Sequence, residues 1–398
     1  MTTDPRTLPV APPRLSDGGA DLFGWARRMR DERPVARDPD GIWHVLRYAD
    51  VQRVVSDHAV FSSDPAPVLP GTARFRGSML WLDPPEHQKV RRVISRIFTP
   101  KAVAELEPRV RRTAVELLDA AAGRTELELV RDLALPLPIT VIAEILGIPT
   151  SDRGRFEMWA ARMVAALVLD PVTDPDAMKR VGAGSGEVNA YLLEHCRRRR
   201  AEPAGDLLSR LVTADVDGHR LTDREAMNFG RVLLEAALIT TTMMITNTVE
   251  CLDRHPGVAA EVRADRSLVP AAFDETLRYR PPILMIPRYT RGAVEIAGAT
   301  IPPRSLVKAW LASANRDERQ FARPDEFDLR RRPNPHIAFG KGIHYCLGAQ
   351  LARLEGEIAL NLLLDRYSDI RVTPGAALEH HPQNFFGVKR LPLTVVPA

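Results

Sequence analysis

One ten-residue stretch near the C-terminus constrains this chain more than any other. Residues 339–348 read Phe-Gly-Lys-Gly-Ile-His-Tyr-Cys-Leu-Gly, so a single thiol, Cys346, lies among three glycines. Glycine has no Cβ, and a backbone rich in glycine can pass close to a bulky flat group. The run that follows, 349–355, consists of helix formers, and we expect a helix to begin at Cys346. The free N–H groups at the start of such a helix would favour the thiolate form of this cysteine.

A thiolate in a glycine-rich loop is the ligand with which a haem iron activates dioxygen. The alternative is a buried cysteine in a glycine-rich turn, which would be the better interpretation of a lone cysteine without this spacing. The loop resembles the Phe-x-x-Gly-x-His/Arg-x-Cys-x-Gly loop of the cytochrome P450 family at every fixed position: Phe339, Gly342, His344, Cys346 and Gly348. The resemblance extends from about residue 20 to the C-terminus, in the style of the soluble bacterial members. It implies haem b as the cofactor, with Cys346 as the metal ligand.

Length and composition indicate one large domain, 1–398, with 1–19 as a loosely ordered N-terminal segment. The 398 residues contain no linker, repeat or low-complexity stretch. From residue 86 to about 250 the apolar spacing is helical, including one helix over 101–122 and a long one over 223–253. Strand-like segments follow at 283–290, 293–296 and 305–309. The pattern predicts a mainly α fold with a small β portion, which the resemblance identifies as the cytochrome P450 fold.

The net charge, the cysteine count and the N-terminal sequence indicate which partners and which cellular compartment to expect. A net charge of +4, without a basic arm carrying aromatic residues, argues against a nucleic-acid partner. Three cysteines form no disulfide framework and are typical of a reducing cytoplasm. The N-terminus lacks the pattern of a signal peptide. The sequence also contains no run of about 18 apolar residues, which a membrane-spanning helix would need. We expect a soluble cytoplasmic monomer.

A haem carries two propionates, and four basic residues match the positions that hold them in the family. His87 and Arg91 are four residues apart and share one face of a predicted helix. Arg288 follows an apolar stretch, and His344 precedes Cys346 by two residues. Each could be an ordinary surface base, and their combination with the cysteine loop favours the propionate role. The resemblance also implies contacts between the haem and Phe339, Gly340, Gly348 and Ala236.

Glu275 and Arg278 form an i, i+3 pair on a predicted helix, and the guanidinium has donors to spare. In the resembled family the equivalent pair engages an arginine ahead of the cysteine loop, which by register is Arg331. We expect these three residues to brace the loop as structural support.

The segment 233–242 matches the helix that crosses the distal face of the haem, where the family usually reads Ala-Gly-x-Glu/Asp-Thr. Thr240 occupies the threonine position, and Ala237 and Ile239 replace the glycine and the acid. Cleavage of the O–O bond of dioxygen needs two protons, which a hydroxyl and a carboxylate together can deliver through water. Isoleucine can neither bind water nor carry a proton. Thr240 is therefore the catalytic candidate, and the relay lacks its expected acid.

Three explanations of the missing acid stay open. The substrate could supply a polar group that completes the relay. The enzyme could direct radical chemistry away from hydroxylation, toward cyclisation, coupling or desaturation. The helix could also tolerate the loss at a lower rate, and peroxide, which brings its own protons, is a further possible oxidant. A remote alternative from another class is a degenerate homologue that serves only as a binding partner.

Glu235 is an acid near this position, but it lies five residues before Thr240 and points about 140° away around a helix. It either forms an ion pair with Arg231 or meets a cationic or hydrogen-bonding group of the substrate.

By resemblance the substrate pocket is apolar, with methionines that adapt to a ligand, and implies a fairly hydrophobic molecule of medium size. Its predicted lining is Trp81, Met163, Leu167, Ile239, Met243, Ile283, Leu284, Phe385 and Phe386. Natural-product tailoring is the role that the resemblance suggests. No flavin- or iron–sulfur-binding segment is present, so electrons must come from a partner, which we expect to be a ferredoxin with an NAD(P)H-dependent reductase. A basic patch of Lys89, Arg92, Arg96, Lys341 and Arg353 would receive it, unless these side chains are simply solvated.

Overall fold

The computed structural model describes residues 11–13, 19–69, 78–152, 154–156, 158–159, 162, 177–216, 218–381 and 384–398. Almost all of the N-terminal segment 1–19 lies outside these residues. Helix dominates the described chain, which confirms the mainly α prediction. The helices are α1 (Ala20–Glu32), α2 (Tyr48–Ser56), α3 (Glu86–Ile97), α4 (Pro100–Ala104), α5 (Glu107–Asp119), α6 (Pro136–Ile145), α7 (Ala177–Ala201), α8 (Leu207–Thr213), α9 (Asp223–Arg254), α10 (Pro256–Ala264), α11 (Val269–Tyr279), α12 (Leu311–Ala314) and α13 (Ala349–Arg366).

The described residues also form twelve strands, besides a few short 3-10 and π-helical turns. They are β1 (Val35–Arg37), β2 (Trp43–Val45), β3 (Phe61–Ser62), β4 (Glu126–Glu128), β5 (Asp215–Val216), β6 (His219–Arg220), β7 (Ile286–Thr290), β8 (Val294–Ile296), β9 (Ala299–Ile301), β10 (Leu306–Ala309), β11 (Tyr367–Val372) and β12 (Pro392–Pro397). The largest sheet has the order β1-β2-β10-β7-β3, and a second sheet has the order β11-β12-β4.

The chain divides into two compact units, each built from three separate segments. Unit 1 comprises 1–73, 274–346 and 379–386, and unit 2 comprises 74–273, 347–378 and 387–398. The prediction of one domain over 1–398 stays a prediction.

Unit 1 contains the five-stranded sheet with α1, α2 and α12. In that sheet β10 pairs antiparallel with β7 and parallel with β2, which sets Arg288 opposite Val307. Val45, Val51 and Phe61 belong to an apolar core between the sheet and α2. A second cluster joins Trp25 of α1 to Trp310. The part of the cysteine loop up to Cys346 belongs to the same unit.

Unit 2 is the larger, helical unit, and its centre is α9. Thr222 caps this helix by accepting a hydrogen bond from the N–H of Glu225, whose carboxylate in turn accepts one from the N–H of Thr222. Among the described helices α9 alone is long and apolar enough to cross a membrane, and 78% of its apolar window is buried inside the protein. Such burial is typical of a core helix.

The single helix predicted over 101–122 is wrong. The structure has two helices there, α4 and α5, with a break at residues 105–106. Pro108 lies in the first turn of α5, where the missing N–H of proline costs nothing and its fixed φ suits a helix start. The apolar spacing continues across the break, which is why periodicity alone joined the two helices.

Candidate haem site

The cysteine loop folds back on itself before a helix begins. Residues Gly342–His344 form one 3-10 turn, and the N–H of Cys346 donates to the carbonyl of Phe339 at 2.9 Å. The next helix, α13, starts only at Ala349, so the prediction of a helix from Cys346 is wrong. The amide of Cys346 closes the loop instead of starting a helix. Along the chain, Cys346 precedes the first residue of α13 by three positions.

Two glycines of this loop, Gly342 and Gly348, have different surroundings. Gly342 has a φ of +72°, and an added Cβ would lie 2.9 Å from the Cα of Ser56 on α2. Backbone conformation and close packing therefore both exclude a larger residue there. At Gly348 an added Cβ would meet no atom within 4 Å. The space next to Gly348 is therefore open.

Of the three cysteines, Cys346 alone is suited to bind a metal. Cys196 and Cys251 are fully buried inside helices, whereas Cys346 is half-exposed on its loop. Burial raises the pKa of the Cys196 thiol to about 12, so this cysteine stays protonated at neutral pH. The thiol environments agree with the sequence prediction that Cys346 is the ligand.

Two of the four predicted propionate-binding residues belong to unit 1. Arg288 is buried on β7 and donates to the carbonyl of Pro287 at 2.9 Å. The Nε2 atom of His344 lies 2.9 Å from the hydroxyl oxygen of Ser63. Ser63 thus orients His344, a role that the sequence analysis missed because the two residues are 281 positions apart.

The other two, His87 and Arg91, belong to unit 2. Both lie on α3, as predicted, four residues apart on the same face. His87 is buried and Arg91 is half-exposed. The contact of all four residues with propionates stays a prediction.

The expected cluster of Glu275, Arg278 and Arg331 is present in unit 1. Arg278 donates to both carboxylate oxygens of Glu275, through Nε at 2.9 Å and Nη2 at 2.7 Å. Arg331 donates to the same carboxylate through Nε at 3.1 Å. The two guanidinium groups also bind backbone carbonyls of residues 315–326, including that of Glu326, to which both donate. The predicted contact is therefore confirmed, and its support of the cysteine loop stays a prediction.

The surface of α9 near Thr240 is the part of unit 2 that the resemblance assigns to the distal face. Ala236 is exposed, and Ala237 and Thr240 are half-buried, so the three form an accessible stripe. The hydroxyl of Thr240 donates to the carbonyl of Ala236 at 2.6 Å. Its oxygen lone pairs remain available to accept a proton or a water hydrogen bond. Ile239 is buried and adds no polar group to the stripe.

Glu235 forms the predicted ion pair with Arg231, one helical turn before it. The two side chains are 14% and 9% exposed. Burial raises the pKa of Glu235, and the charge and hydrogen bond of Arg231 partly offset that rise. Burying the Glu235 carboxylate costs free energy that its single partner offsets only in part, so a further hydrogen-bond donor would stabilise the charged form.

A second buried acid of unit 2 escaped the sequence analysis. Glu355 lies on α13 with 1% exposure, and its carboxyl group shares a hydrogen bond with Thr241 of α9. Burial raises the pKa of Glu355 to about 8. The helical run 349–355 gave no signal of this, because an acid at that spacing normally faces solvent.

The residues predicted to line the substrate pocket differ in accessibility. Trp81, Ile283 and Phe385 are half-exposed, and Ile283 and Phe385 form a β-bridge. Leu284 and Phe386 are buried in unit 1, and the ring of Phe386 packs against the Arg280 guanidinium at 4.5 Å. Met243 is buried against Gly387, where an added Cβ would lie 2.5 Å from the Met243 Cγ.

Met163 and Leu167 lie outside the described residues. The pocket as a whole stays a prediction.

The basic side chains expected to form a partner surface are also distributed over the two units. Lys89, Arg92 and Arg96 are exposed on α3 of unit 2, where Arg353 is half-buried on α13. Lys341 is exposed in unit 1.

Comparisons with known proteins identify the family. The Cytochrome P450 family profile matches residues 166–384. The chain is 46% identical over 369 residues to the cyclomarin C epoxidase CymV of Salinispora arenicola, covering 92% of this chain and 93% of that protein. It is 43% identical over 384 residues to the erythromycin C-12 hydroxylase of Saccharopolyspora erythraea, covering 96% of each.

A solved structure of the open cytochrome P450 EryK from S. erythraea superimposes with a TM-score of 0.92 at 42% identity, over 97% of this chain and 98% of that one. The chain therefore belongs to the cytochrome P450 family and is a haem b oxidoreductase of the monooxygenase type, with a cysteine thiolate as the iron ligand.

Proposed function

We propose that this enzyme oxidises a medium-sized, fairly hydrophobic small molecule with dioxygen, as a tailoring step in the biosynthesis of a natural product. The observation that carries the proposal is the cysteine loop, in which the thiol of Cys346 is half-exposed and Gly342 adopts a conformation that only glycine accepts easily. The tailoring role is supported by relatives named as an epoxidase of cyclomarin C and a hydroxylase of erythromycin. The apolar character of the predicted pocket residues supports the substrate class.

Haem b, when bound, supplies the dioxygen activation that amino-acid side chains cannot provide. Cys346 would supply the thiolate that holds the haem iron, and the turn at Gly342–His344, with the hydrogen bond from the Cys346 N–H to the Phe339 carbonyl, fixes the backbone of that cysteine. His87 and Arg91 from α3, with Arg288 and His344 from unit 1, are the proposed propionate partners.

The side chains of His344 and Arg288 each have a hydrogen-bond partner in the structure. Ser63 orients the His344 ring through a 2.9 Å contact, and the β7 backbone carries Arg288. The Glu275 cluster ties the chain before the loop to α11 through Arg278 and Arg331. A fixed loop keeps the thiolate in place while substrates and electrons arrive.

On the other side, Thr240 is the proposed proton-handling residue. Its hydroxyl oxygen can accept hydrogen bonds while its hydrogen binds the Ala236 carbonyl. Of residues 236–240, Thr240 has the polar side chain, so Ile239 and Ala237 add no second group that could hold a water there.

The first experiment tests the cofactor and its ligand. Carbon monoxide added to the reduced, purified protein should give the thiolate-type Soret band, and Cys346→Ala should abolish it. Cys251→Ala is the matched control and should retain the band. A folded wild-type protein without the band would overturn the proposal and would favour a degenerate binding partner.

A second experiment identifies the substrate class. Candidate compounds related to cyclomarins, to erythromycins and to smaller apolar molecules are added to the ferric enzyme, and binding is followed by the spin-state change in the haem spectrum. Tight binding of a medium-sized apolar compound supports the proposal. Binding restricted to small, strongly polar molecules would contradict it.

Ile239 favours a second candidate, in which the reaction is driven by peroxide or ends in cyclisation, coupling or desaturation. Peroxide brings the protons that a missing acid would otherwise organise. Turnover with peroxide is compared with turnover using a ferredoxin, its reductase and NAD(P)H. Faster and better coupled turnover with peroxide would favour the second candidate, and product analysis separates hydroxylation from the radical alternatives.

We also propose a cytoplasmic monomer that takes electrons from an acidic ferredoxin. The exposed Lys89, Arg92 and Arg96 of α3 support a basic docking surface. Charge reversal at Arg92 and Arg96 should raise the KM for the ferredoxin most at low salt. An unchanged KM would contradict this surface.

A further inference from the structure

Two residues predicted to line the substrate pocket, Ile283 and Phe385, belong to a short antiparallel pairing within unit 1. Two backbone hydrogen bonds join the segments 282–284 and 384–386, with N···O distances of 2.9 and 2.8 Å, and they flank the bridge between Ile283 and Phe385. Residues flanked in this way form the closer type of antiparallel pair, in which the two side chains are neighbours on the same face. Ile283 and Phe385 therefore form one apolar face.

The side chains next to this pair point the other way. Successive side chains of an extended segment lie on opposite faces. Ile283 and Phe385 are half-exposed. Leu284 and Phe386, the next residue of each segment, are 1% and 0% exposed and belong to one apolar cluster of unit 1. The pairing thus has a core face and an accessible face, and Phe385 is the phenylalanine on the accessible one.

Phe386 is held in the core from several sides. Its ring stacks on His380 with centroids 6.1 Å apart and meets the ring of Phe23 edge-on at 5.6 Å. The guanidinium of Arg280 lies 4.5 Å from the centroid of the same ring. At Gly19 an added Cβ would lie 2.7 Å from it. A ring enclosed in this way fixes the backbone on one side of the accessible phenylalanine.

Asn384 holds the backbone on the other side of Phe385. Its Oδ1 atom accepts a hydrogen bond from the N–H of Met285 at 3.0 Å. Because an N–H donates, the amide atom that faces it has to be the oxygen. The paired segment is also tied from its far side, since the carbonyl of Leu284 accepts a hydrogen bond from the N–H of Ala312 at 3.0 Å. The accessible face therefore rests on a backbone that is fixed at several points.

We propose that Asn384 determines substrate specificity as a positioning residue. It holds Ile283 and Phe385 as one fixed apolar face against which an apolar group of the substrate packs. A fixed surface favours ligands of one shape, because they bind without any cost of ordering the wall, whereas a mobile wall adapts to many ligands. The inference rests on the proposed function, since it concerns the same pocket.

The matched variants are Asn384→Leu and Asn384→Asp. Leucine has the same branched shape without an acceptor, so the N–H of Met285 loses its partner, and aspartate keeps an oxygen at the same atom. Asn361→Leu is the control, since the Asn361 side chain donates to the carbonyl of Glu357 at 2.9 Å within α13 of unit 2. It removes a hydrogen bond of similar length at a residue that is not predicted to line the pocket.

The probes are imidazole and clotrimazole, two azoles that bind haem iron through the same type of nitrogen. Clotrimazole adds bulky aryl groups, so the Kd of imidazole divided by that of clotrimazole measures what the protein gains from an apolar body. Asn384→Leu should lower this ratio by about fivefold, the value of one hydrogen bond. Asn384→Asp and Asn361→Leu should keep the wild-type ratio, and the Kd of imidazole should stay constant throughout. The absorbance change of the haem on nitrogen binding measures each Kd.

A readout without ligand locates the change in the backbone. Hydrogen exchange of the holoenzyme, followed by mass spectrometry of peptides that contain Met285, should be faster in Asn384→Leu than in the wild type. Asn384→Asp should restore the slow exchange. Faster exchange together with a wild-type ratio of the two Kd values would show that the bond is structural only, and the inference would be wrong.

Phe385→Ala gives an independent arm in case Asn384→Leu fails to fold. It removes the ring from the accessible face and should lower the ratio by at least the same factor. An unchanged ratio in either variant would overturn the inference. The carbon monoxide band reports in each variant that the haem is bound, and a wild-type protein without that band would instead contradict the proposed function.

Discussion

Two buried arginine–glutamate pairs, one in each unit, differ in how completely their charges are compensated. In unit 1 the Glu275 carboxylate accepts hydrogen bonds from the side chains of Arg278, Arg331 and Asn334 and from the N–H of Asp328. In unit 2 Glu235 has one hydrogen-bond partner among the described residues, Arg231. Both acids are one helical turn from their arginine.

The difference in compensation indicates which carboxylate is suited to structural support and which is suited to bind a substrate. A carboxylate with several donors has little to gain from a new contact, and its removal leaves two guanidinium groups without their anion. A carboxylate with one donor and a raised pKa would gain from a donor on a ligand. Glu275 is therefore suited to structural support, a role that stays a prediction, and Glu235 is the acid that a substrate could engage.

The largest expected effect comes from breaking the Glu275 cluster. Arg331→Leu should destabilise the protein by about 3–5 kcal/mol, because the buried Glu275 carboxylate loses one of its two guanidinium donors in a site that is almost dry. Chemical unfolding of the holoenzyme measures the loss, and the thiolate-type carbon monoxide band should weaken with it. The adjacent, exposed Arg330 provides the control, since Arg330→Leu should change stability by less than about 0.5 kcal/mol. Equal effects of the two variants would show that the cluster supports nothing.

A smaller effect is expected from the same type of change in unit 2. Arg231→Met should cost about 2 kcal/mol, less than the loss at Arg331, because Glu235 can take up a proton when its partner is gone. The double variant Arg231→Met/Glu235→Gln should recover most of that loss, since no unpaired charge remains. Unfolding curves at pH 7 test both. A double variant less stable than Arg231→Met would contradict the account of this pair.

The sequence predicts the contacts within both clusters, but it does not predict the environment of Glu235. The i, i+3 spacing and the family register identify Glu275, Arg278 and Arg331 as one group, and all three meet in the structure. The i, i+4 spacing equally predicts the contact of Glu235 with Arg231. What spacing cannot give is the environment, so the raised pKa of Glu235 appears only once the packing around α9 is known.

The features missed by sequence reasoning share a physical cause. The contact of Ser63 with His344 and that of Thr241 with Glu355 each join residues far apart in the chain, and neither has a local pattern. The start of α13 at Ala349 rather than at Cys346 depends on a loop hydrogen bond to Phe339. Local propensity determines where a helix is possible, and tertiary contacts decide where it begins.

A still smaller effect, worth one hydrogen bond or less, is expected on the affinity for substrate when Glu235 is replaced. If Glu235 meets a cationic or hydrogen-bonding group of the substrate, Glu235→Gln should weaken binding by about tenfold, the value of one charge-assisted contact. The spin-state titration measures this, and Glu225→Gln, at the exposed start of the same helix, is the control. Unchanged affinity and turnover in Glu235→Gln would remove the substrate contact and leave the ion pair as its whole role.

The smallest effect is the pH dependence that Glu235 gives to stability. Its folded-state pKa lies above the usual value of 4.5, so between these two pKa values the folded protein binds more protons than the unfolded one. The free energy of unfolding should therefore fall as pH rises through this window, by no more than about 1.4 kcal/mol per pH unit. Subtracting the pH profile of Glu235→Gln from that of the wild type isolates the contribution. A difference that instead grows with pH would mean that Arg231 more than compensates for burial, and Glu235 would then be as firmly held as Glu275.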